Sequence, residues 1–131
     1  MAAVITFGTF DLFHYGHLRI LERACEYGER LVVGVSSDEL NLRKKGFRPT
    51  YLQQHRMRIV RAIRCVDEVF VEESLERKRE YILVHRADVL VMGDDWQGRF
   101  DQFSDLCRVV YLPRTGGIST SDTVTQIRAG D

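Results

Sequence analysis

Short apolar runs of strand length recur along the chain at Val4–Phe7, Leu31–Val35, Glu68–Val71, Val89–Met92 and Val109–Leu112. Between most of them the apolar positions change to a helical spacing. Leu18, Leu21, Ala24 and Cys25 mark one face of a first helix over roughly 17–27, with Gly28 placed to stop it. Thr50 and Gln53 have the spacing of a capping box, and Leu52, Ile59, Val60 and Ile63 supply the stripe of a second helix reaching about Arg64. Ser74 is placed to cap a third helix through His85, with Leu75, Tyr81, Ile82 and Val84 as its apolar members. The run Glu76, Arg77, Lys78, Arg79, Glu80 reads as that helix's solvated face. A last helix carries Val124 and Ile127. Strands alternating with helices predict a parallel sheet covered on both faces, and with neither repeat nor linker in sight the expectation is one doubly wound α/β domain over 1–131. The stretch Asn41–Pro49 fits none of these elements. Its four cations around Gly46, ahead of a proline, predict a mobile basic loop beside the carboxyl end of the first strand, where an anion can be gripped.

The chain's 131 residues suffice for one domain with a core but are few for two. Nineteen basic residues balance nineteen acidic ones, so no global field favours nucleic acid or an anionic membrane. Local clusters must do any anion binding. The sequence has no signal pattern and no apolar run near the roughly 20 residues a bilayer requires, so a soluble cytoplasmic protein without membrane insertion is expected. Cys25, Cys65 and Cys107 are widely spaced among apolar neighbours, which predicts reduced, mostly buried thiols.

The chemistry concentrates in Gly8-Thr9-Phe10-Asp11-Leu12-Phe13-His14-Tyr15-Gly16-His17, between the first strand and the first helix. A helix start leaves backbone N–H groups unpaired and carries roughly half a positive charge, so a phosphate docked there meets donors and a favourable field together. His14 and His17 add side-chain donors, and Gly16 between them permits close backbone approach or a positive φ. Structural capping or packing of the two histidines is the competing reading. Neither a GxGxxG fingerprint nor a Walker A sequence is present, which argues against dinucleotide-dependent dehydrogenases and P-loop ATPases.

His-x-Gly-His after Gly-Thr-Phe-Asp resembles the signature of the nucleotidyltransferase superfamily. Arg64-Cys65-Val66-Asp67-Glu68-Val69, Val91-Met92-Gly93-Asp94-Asp95-Trp96 and Val110 through Arg114-Thr115-Gly116-Gly117-Ile118-Ser119-Thr120 extend the resemblance to the cytidylyltransferase branch, from about Val4 to Ile127. The resemblance implies a Rossmann-like domain with a five-stranded parallel sheet that transfers CMP from CTP to a small alcohol phosphate and releases pyrophosphate. Glycerol 3-phosphate is the default acceptor, giving CDP-glycerol for a cell-envelope polymer. The alternatives are an adenylyltransferase of the same superfamily acting on another phosphorylated substrate, and a non-catalytic nucleotide-binding module.

On the same resemblance, His14, His17, Lys44 and Arg114 are catalytic. Thr9, Phe10, Gly16, Gly93, Asp95, Trp96, Thr115, Ile118, Ser119 and Thr120 bind the nucleotide, with Asp95 and the Gly93 backbone reading cytosine. Asp11, Lys45, Arg56, Arg64 and Asp67 serve the acceptor, with His55 close by; Arg64 and Asp67 can equally form a structural ion pair. Mg²⁺ is the implied cofactor, held mainly by the triphosphate with Asp11 nearby, and metal binding by Asp94 and Asp95 is the weaker option. The partners implied are CTP, the alcohol phosphate and a second copy of the chain as a homodimer. One departure stands out: Asp122 lies where the family carries a basic residue after its Ser/Thr run.

Overall fold

A computed structural model describes residues 2–113. The chain enters through β1 (Ala3–Gly8), turns into α1 (Tyr15–Cys25) and returns as β2 (Arg30–Ser36). Two helices follow in succession, α2 (Asp38–Lys45) and α3 (Gln53–Arg61), before β3 (Glu68–Glu72). Then come α4 (Lys78–Val84), β4 (Val89–Gly93), two short 3-10 turns at Asp94–Trp96 and Asp101–Phe103, and β5 (Arg108–Leu112). The strands form one parallel sheet in the order β3-β2-β1-β4-β5. All five expected strands are present, shifted by no more than a residue or two.

Parallel strands are buried on both faces and therefore read as unbroken apolar runs. Alternate residues go to opposite layers. Val4, Val33, Val35 and Val91 pack with Leu21 and Ala24 of α1 and Val60 of α3, while Ile5, Phe7, Val32 and Leu90 pack with Tyr81 and Ile82 of α4 and with Phe100 and Phe103. The strand order reverses direction between β1 and β4, so a crevice opens at their carboxyl ends, the usual ligand position in an open α/β sheet.

The helices depart from expectation in instructive ways. α1 starts two residues early because His14 caps it, and ends at Cys25 rather than near 27. Gly28 does not terminate it; a Cβ there would stand 2.6 Å from the Ala2 carbonyl oxygen, so glycine lets the chain pass under the start of β1. The expected basic loop is in its first part a helix, α2, with the Ser37 side chain accepting from Leu40 N–H, Asp38 and Glu39 in its first turn, Arg43, Lys44 and Lys45 in its last, and Gly46 at φ 83° closing it. Charges of that order match the helix dipole at both ends.

The Thr50–Gln53 capping box does not form. Leu52, expected in the apolar stripe, is instead the N-cap and 54% exposed. Asp38 and Gln53 cap one another's helices: the Asp38 N–H donates to Gln53 Oε1 at 3.0 Å, and the Gln53 N–H donates to Asp38 Oδ2 at 3.2 Å. α3 ends at Arg61, short of Arg64. α4 begins at Lys78, since the Ser74 hydroxyl donates to Glu76 instead of capping. Of that helix's expected apolar members, Tyr81 and Ile82 are buried, but Leu75 and Val84 are exposed. Lys78, expected in solvent, is buried at 4% exposure. The three cysteines are unpaired thiols, although the fold brings Cys25 Sγ to 3.7 Å from the Cys65 carbonyl oxygen.

Candidate active site at the carboxyl end of the sheet

The turn leaving β1 is strained. Phe10 and Leu12 have φ of 56° and 48°, a region that bulky residues occupy only when their surroundings hold them there. Three contacts hold this turn. The Phe10 ring is buried in the core, and Gly8 makes room for it, since a Cβ at Gly8 would lie 2.8 Å from the ring. Thr9 Oγ1 donates to Asn41 Oδ1 at 3.0 Å, tying the turn to α2. Asp11 accepts from the N–H groups of Leu12, Thr50 and Tyr51 at 3.1, 2.7 and 2.8 Å, so its carboxylate latches the turn to the segment that enters α3.

The two histidines form a reciprocal cap. His14 Nδ1 accepts from Gly16 N–H at 3.0 Å, and His17 Nδ1 accepts from His14 N–H at 3.1 Å. Gly16 therefore sits in the first helical turn with its N–H engaged, rather than in a positive-φ position. The rings stack with centroids 3.9 Å apart. A ring nitrogen that accepts cannot carry the proton, so both imidazoles are fixed as Nε2–H tautomers. Burial, and then His14, hold the His17 pKa down at about 4 against the opposing pull of Asp11. At neutral pH, His17 is thus a neutral donor that cannot act as a cation.

Behind the turn lies Arg56, with no exposed surface. Its Nε donates to the Tyr51 carbonyl at 3.0 Å, Nη1 to the Thr9 and Ser36 carbonyls at 2.8 Å each, and Nη2 to Asp38 at 2.7 Å. Arg56, expected to serve the acceptor, has its guanidinium sealed among backbone carbonyls and Asp38, where it positions β1, β2, α2 and α3 against one another. Removing one partner of such a buried pair costs about 3–5 kcal/mol.

Lys44 comes from the last turn of α2. Although the residue as a whole is exposed, its ammonium turns back over Ser36, with Nζ 3.4 Å from Oγ. Burial lowers its pKa and Glu72 opposes this, while Lys45, Lys78 and Arg56 push it further down. Lys45 lies beside it on the exposed side. Sequence reasoning missed the group beneath. Glu72, at the end of β3, is 1% exposed and accepts from Lys78 Nζ at 2.6 Å, and that ammonium lies 3.8 Å from the centre of the Phe7 ring. The signal was available: Lys78 precedes Tyr81 and Ile82 by three and four residues and so shares their inward helical face.

Gly93 ends β4 on the other side of β1, and a Cβ there would stand 2.6 Å from Asp95 Oδ1. Asp95 is exposed, and Trp96 packs on Phe100 with ring centroids 5.5 Å apart. Gly93 is paired with Leu112, which brings the end of β5 to the same edge, and Arg23 donates to the Pro113 carbonyl at 2.8 Å. The expected phosphate clamp, Arg114, Thr115, Ile118, Ser119 and Thr120, lies outside the described residues, as do Asp122 and the stretch with Val124 and Ile127, expected to be helical.

Arg64 and Asp67 do not join the site. The Asp67 carboxylate accepts from Leu31 N–H at 2.8 Å at the start of β2, as the Asp88 carboxylate accepts from Ala3 N–H at 2.8 Å at the start of β1. Both aspartates clamp strand entries at the amino end of the sheet, opposite the end at which the histidines stand. Arg64 is exposed at that end. His55 lines a hollow on the outward face of α3 with Tyr51, Arg58 and Ile59. Among the described residues, no three His, Cys, Asp or Glu side chains gather into a metal cage.

Two neutral histidine donors, strained backbone at a strand-to-helix turn and two lysine ammonium groups at the carboxyl end of the sheet suit anions undergoing phosphoryl chemistry. The family model described as cytidylyltransferase-like matches residues 5–126, and the chain belongs to this family of nucleotidyltransferases. The glycerol-3-phosphate cytidylyltransferase of Bacillus subtilis is 51% identical over 127 residues, covering 97% of this chain and 98% of that protein. The enzyme of the same name from Staphylococcus aureus is 42% identical, covering 100% of this chain and 98% of its own. A lipopolysaccharide core biosynthesis protein from Thermoplasma volcanium superposes with a TM-score of 0.74 at 20% identity, over 88% of this chain and 98% of that one, which shows the shared fold. No helix among the described residues is long and apolar enough to cross a membrane.

Proposed function

We propose that this protein transfers the cytidylyl group of CTP to glycerol 3-phosphate, releasing pyrophosphate and forming CDP-glycerol. The observation that carries the reading is the reciprocal histidine cap, which fixes two Nε2–H donors at the start of α1 beside the crevice. The substrate class follows from the names of the full-length relatives. An oxygen of the acceptor's phosphate forms a bond to the α-phosphorus as the bond to the bridging oxygen breaks, and the electron pair leaves with pyrophosphate. The reaction needs no covalent enzyme intermediate, so the protein's work is alignment and charge stabilisation.

His14 and His17 donate to the triphosphate around the breaking bond. Lys44 and Lys78 gather the acceptor's phosphate from α2 and α4, and Asp95 with the Gly93 backbone reads the cytosine. Arg114, Thr115, Ser119 and Thr120 are assigned to the distal phosphates by their motif. Asp11, its oxygens already accepting three N–H groups, is assigned to holding the turn. Mg²⁺ belongs to the triphosphate, where it would neutralise charge across the phosphate oxygens, in keeping with a site whose own side chains are donors. The working form is a cytoplasmic homodimer, a state that light scattering tests.

The deciding experiment is pyrophosphate release with CTP, Mg²⁺ and glycerol 3-phosphate, with ATP and other alcohol phosphates as controls. The His17→Ala variant should lose about 100- to 1,000-fold in kcat, the usual cost of removing one placed donor. Turnover within a few-fold of the parent would remove His17 from the mechanism. Activity with ATP alone would replace the cytidylyl assignment by an adenylyl one.

A further inference from the structure

Buried between two lysines from different helices, Glu72 touches no surface, and the mechanism above gives it no part. Oε2 accepts a hydrogen bond from Lys78 Nζ at 2.6 Å, and Oε1 stands 3.4 Å from Ser36 Oγ. That hydroxyl in turn is 3.4 Å from Lys44 Nζ and 3.4 Å from the Gly8 carbonyl oxygen. The Glu72 carbonyl accepts from Ser37 N–H at 2.9 Å, so the end of β3 also fixes the cap of the helix that carries Lys44. We propose that Glu72 is a positioning residue that sets both ammonium groups, Lys78 directly and Lys44 through Ser36, on the phosphate of the acceptor. This rests on the functional reading above.

Two ammonium groups and one carboxylate leave the cluster with a surplus positive charge, while Arg56 behind Ser36 is already balanced by Asp38. A phosphate monoester supplies the missing negative charge. An ammonium has three protons; among the described residues Glu72 is the one hydrogen-bond partner of Lys78 Nζ, and the Phe7 and Phe100 rings, 3.8 and 5.2 Å from it, form apolar walls. Their faces attract the ammonium but offer no oxygen to accept its remaining protons. Burial drives Lys78 and Lys44 toward their neutral forms, and Glu72 is the first opposing charge on each. The carboxylate therefore keeps both lysines charged and aimed before the acceptor arrives, which is preorganisation. The charged groups facing this cluster are Lys44 and Lys45 from α2, Arg56 from α3 and Lys78 from α4.

The test is Glu72→Gln, which keeps size and hydrogen bonding but removes the charge. The KM for glycerol 3-phosphate should rise by about tenfold or more, the loss of one charge-assisted contact. The KM for CTP should stay within about twofold, and the basic limb of kcat/KM for the acceptor should move to lower pH as the lysines deprotonate earlier. Glu72→Asp should recover part of the loss. Because Glu72→Gln can destabilise the fold, Ser36→Ala serves as a milder cut that spares the buried ion pair; it should raise the same KM by a smaller factor. Equal rises in both KM values, or a lowered melting temperature with the acceptor KM unchanged, would overturn the proposal. Calorimetric titration with inorganic phosphate separates the two readings. A parent protein that fails to turn over CTP, yet binds phosphate in a Glu72-dependent way, would sink the functional reading and keep this one. Turnover with an acceptor KM indifferent to Glu72→Gln would do the reverse.

Discussion

His14 and His17 owe their chemistry to two backbone N–H groups. Gly16 N–H and His14 N–H each occupy an Nδ1 lone pair, which commits the proton to Nε2 and leaves that edge of each ring as a donor. The cap and the catalytic donor are therefore opposite edges of the same ring, and a substitution can separate them. In His17→Asn the side-chain oxygen can replace Nδ1 as the acceptor for His14 N–H, while nothing replaces the Nε2 donor. That variant should melt close to the parent yet lose about 100-fold or more in kcat, whereas His17→Ala forfeits an additional ~1 kcal/mol of capping. Melting curves and initial rates on the same preparations decide it: if His17→Asn retains turnover, the Nε2 edge is not the working one. The sequence made the pair visible, because His-x-Gly-His between an apolar run and a helical pattern is a local signal. It did not reveal Arg56 as a strut, since the Thr9 carbonyl it holds lies 47 residues away and only the fold brings them together.

At the level of elements, the expectation failed where apolar periodicity is absent. α2 has no apolar stripe, so a reading that searches for one finds a loop. Its helical nature is written instead in its ends: Ser37 before Asp38 and Glu39, then Arg43, Lys44 and Lys45 before Gly46. Strands, by contrast, were readable to within a residue or two because both of their faces must be apolar. This places a burden on the Ser37 cap, because α2 gains little from core packing and still has to carry Lys44 to the crevice. Ser37→Ala should cost about 1 kcal/mol in urea unfolding, the typical value for a lost N-cap. If stability is unchanged, the reciprocal Asp38–Gln53 bonds and the Asp38–Arg56 pair hold α2 in place without Ser37.

On the scale of the whole molecule, the sheet assigns one end to chemistry and the other to entry clamps. Reversal of strand order between β1 and β4 fixes which end is which, and it explains why Arg64 and Asp67, attractive by motif, fall at the end opposite the histidines. Motifs carry residue types but not the end of the strand on which they stand. The same division links function to stability. His17 is half-buried at the chemical end with its pKa lowered from 6.5 to about 4, and burial also lowers His85, which lies 3.8 Å from Glu68. An unfolded chain binds protons on these imidazoles near pH 6.5, whereas the native state accepts the His17 proton only near 4. The unfolded state therefore holds more protons across that interval. Stability from His17 is complete above about pH 6.5 and is lost as the pH falls toward 4, by about 3 kcal/mol in all. Urea midpoints for the parent and His17→Asn at about pH 7, 5.5 and 4.5 measure it. The parent should lose more stability than the variant between the first and the last, and curves that fall in parallel would show that the neutral imidazole is not what the fold protects.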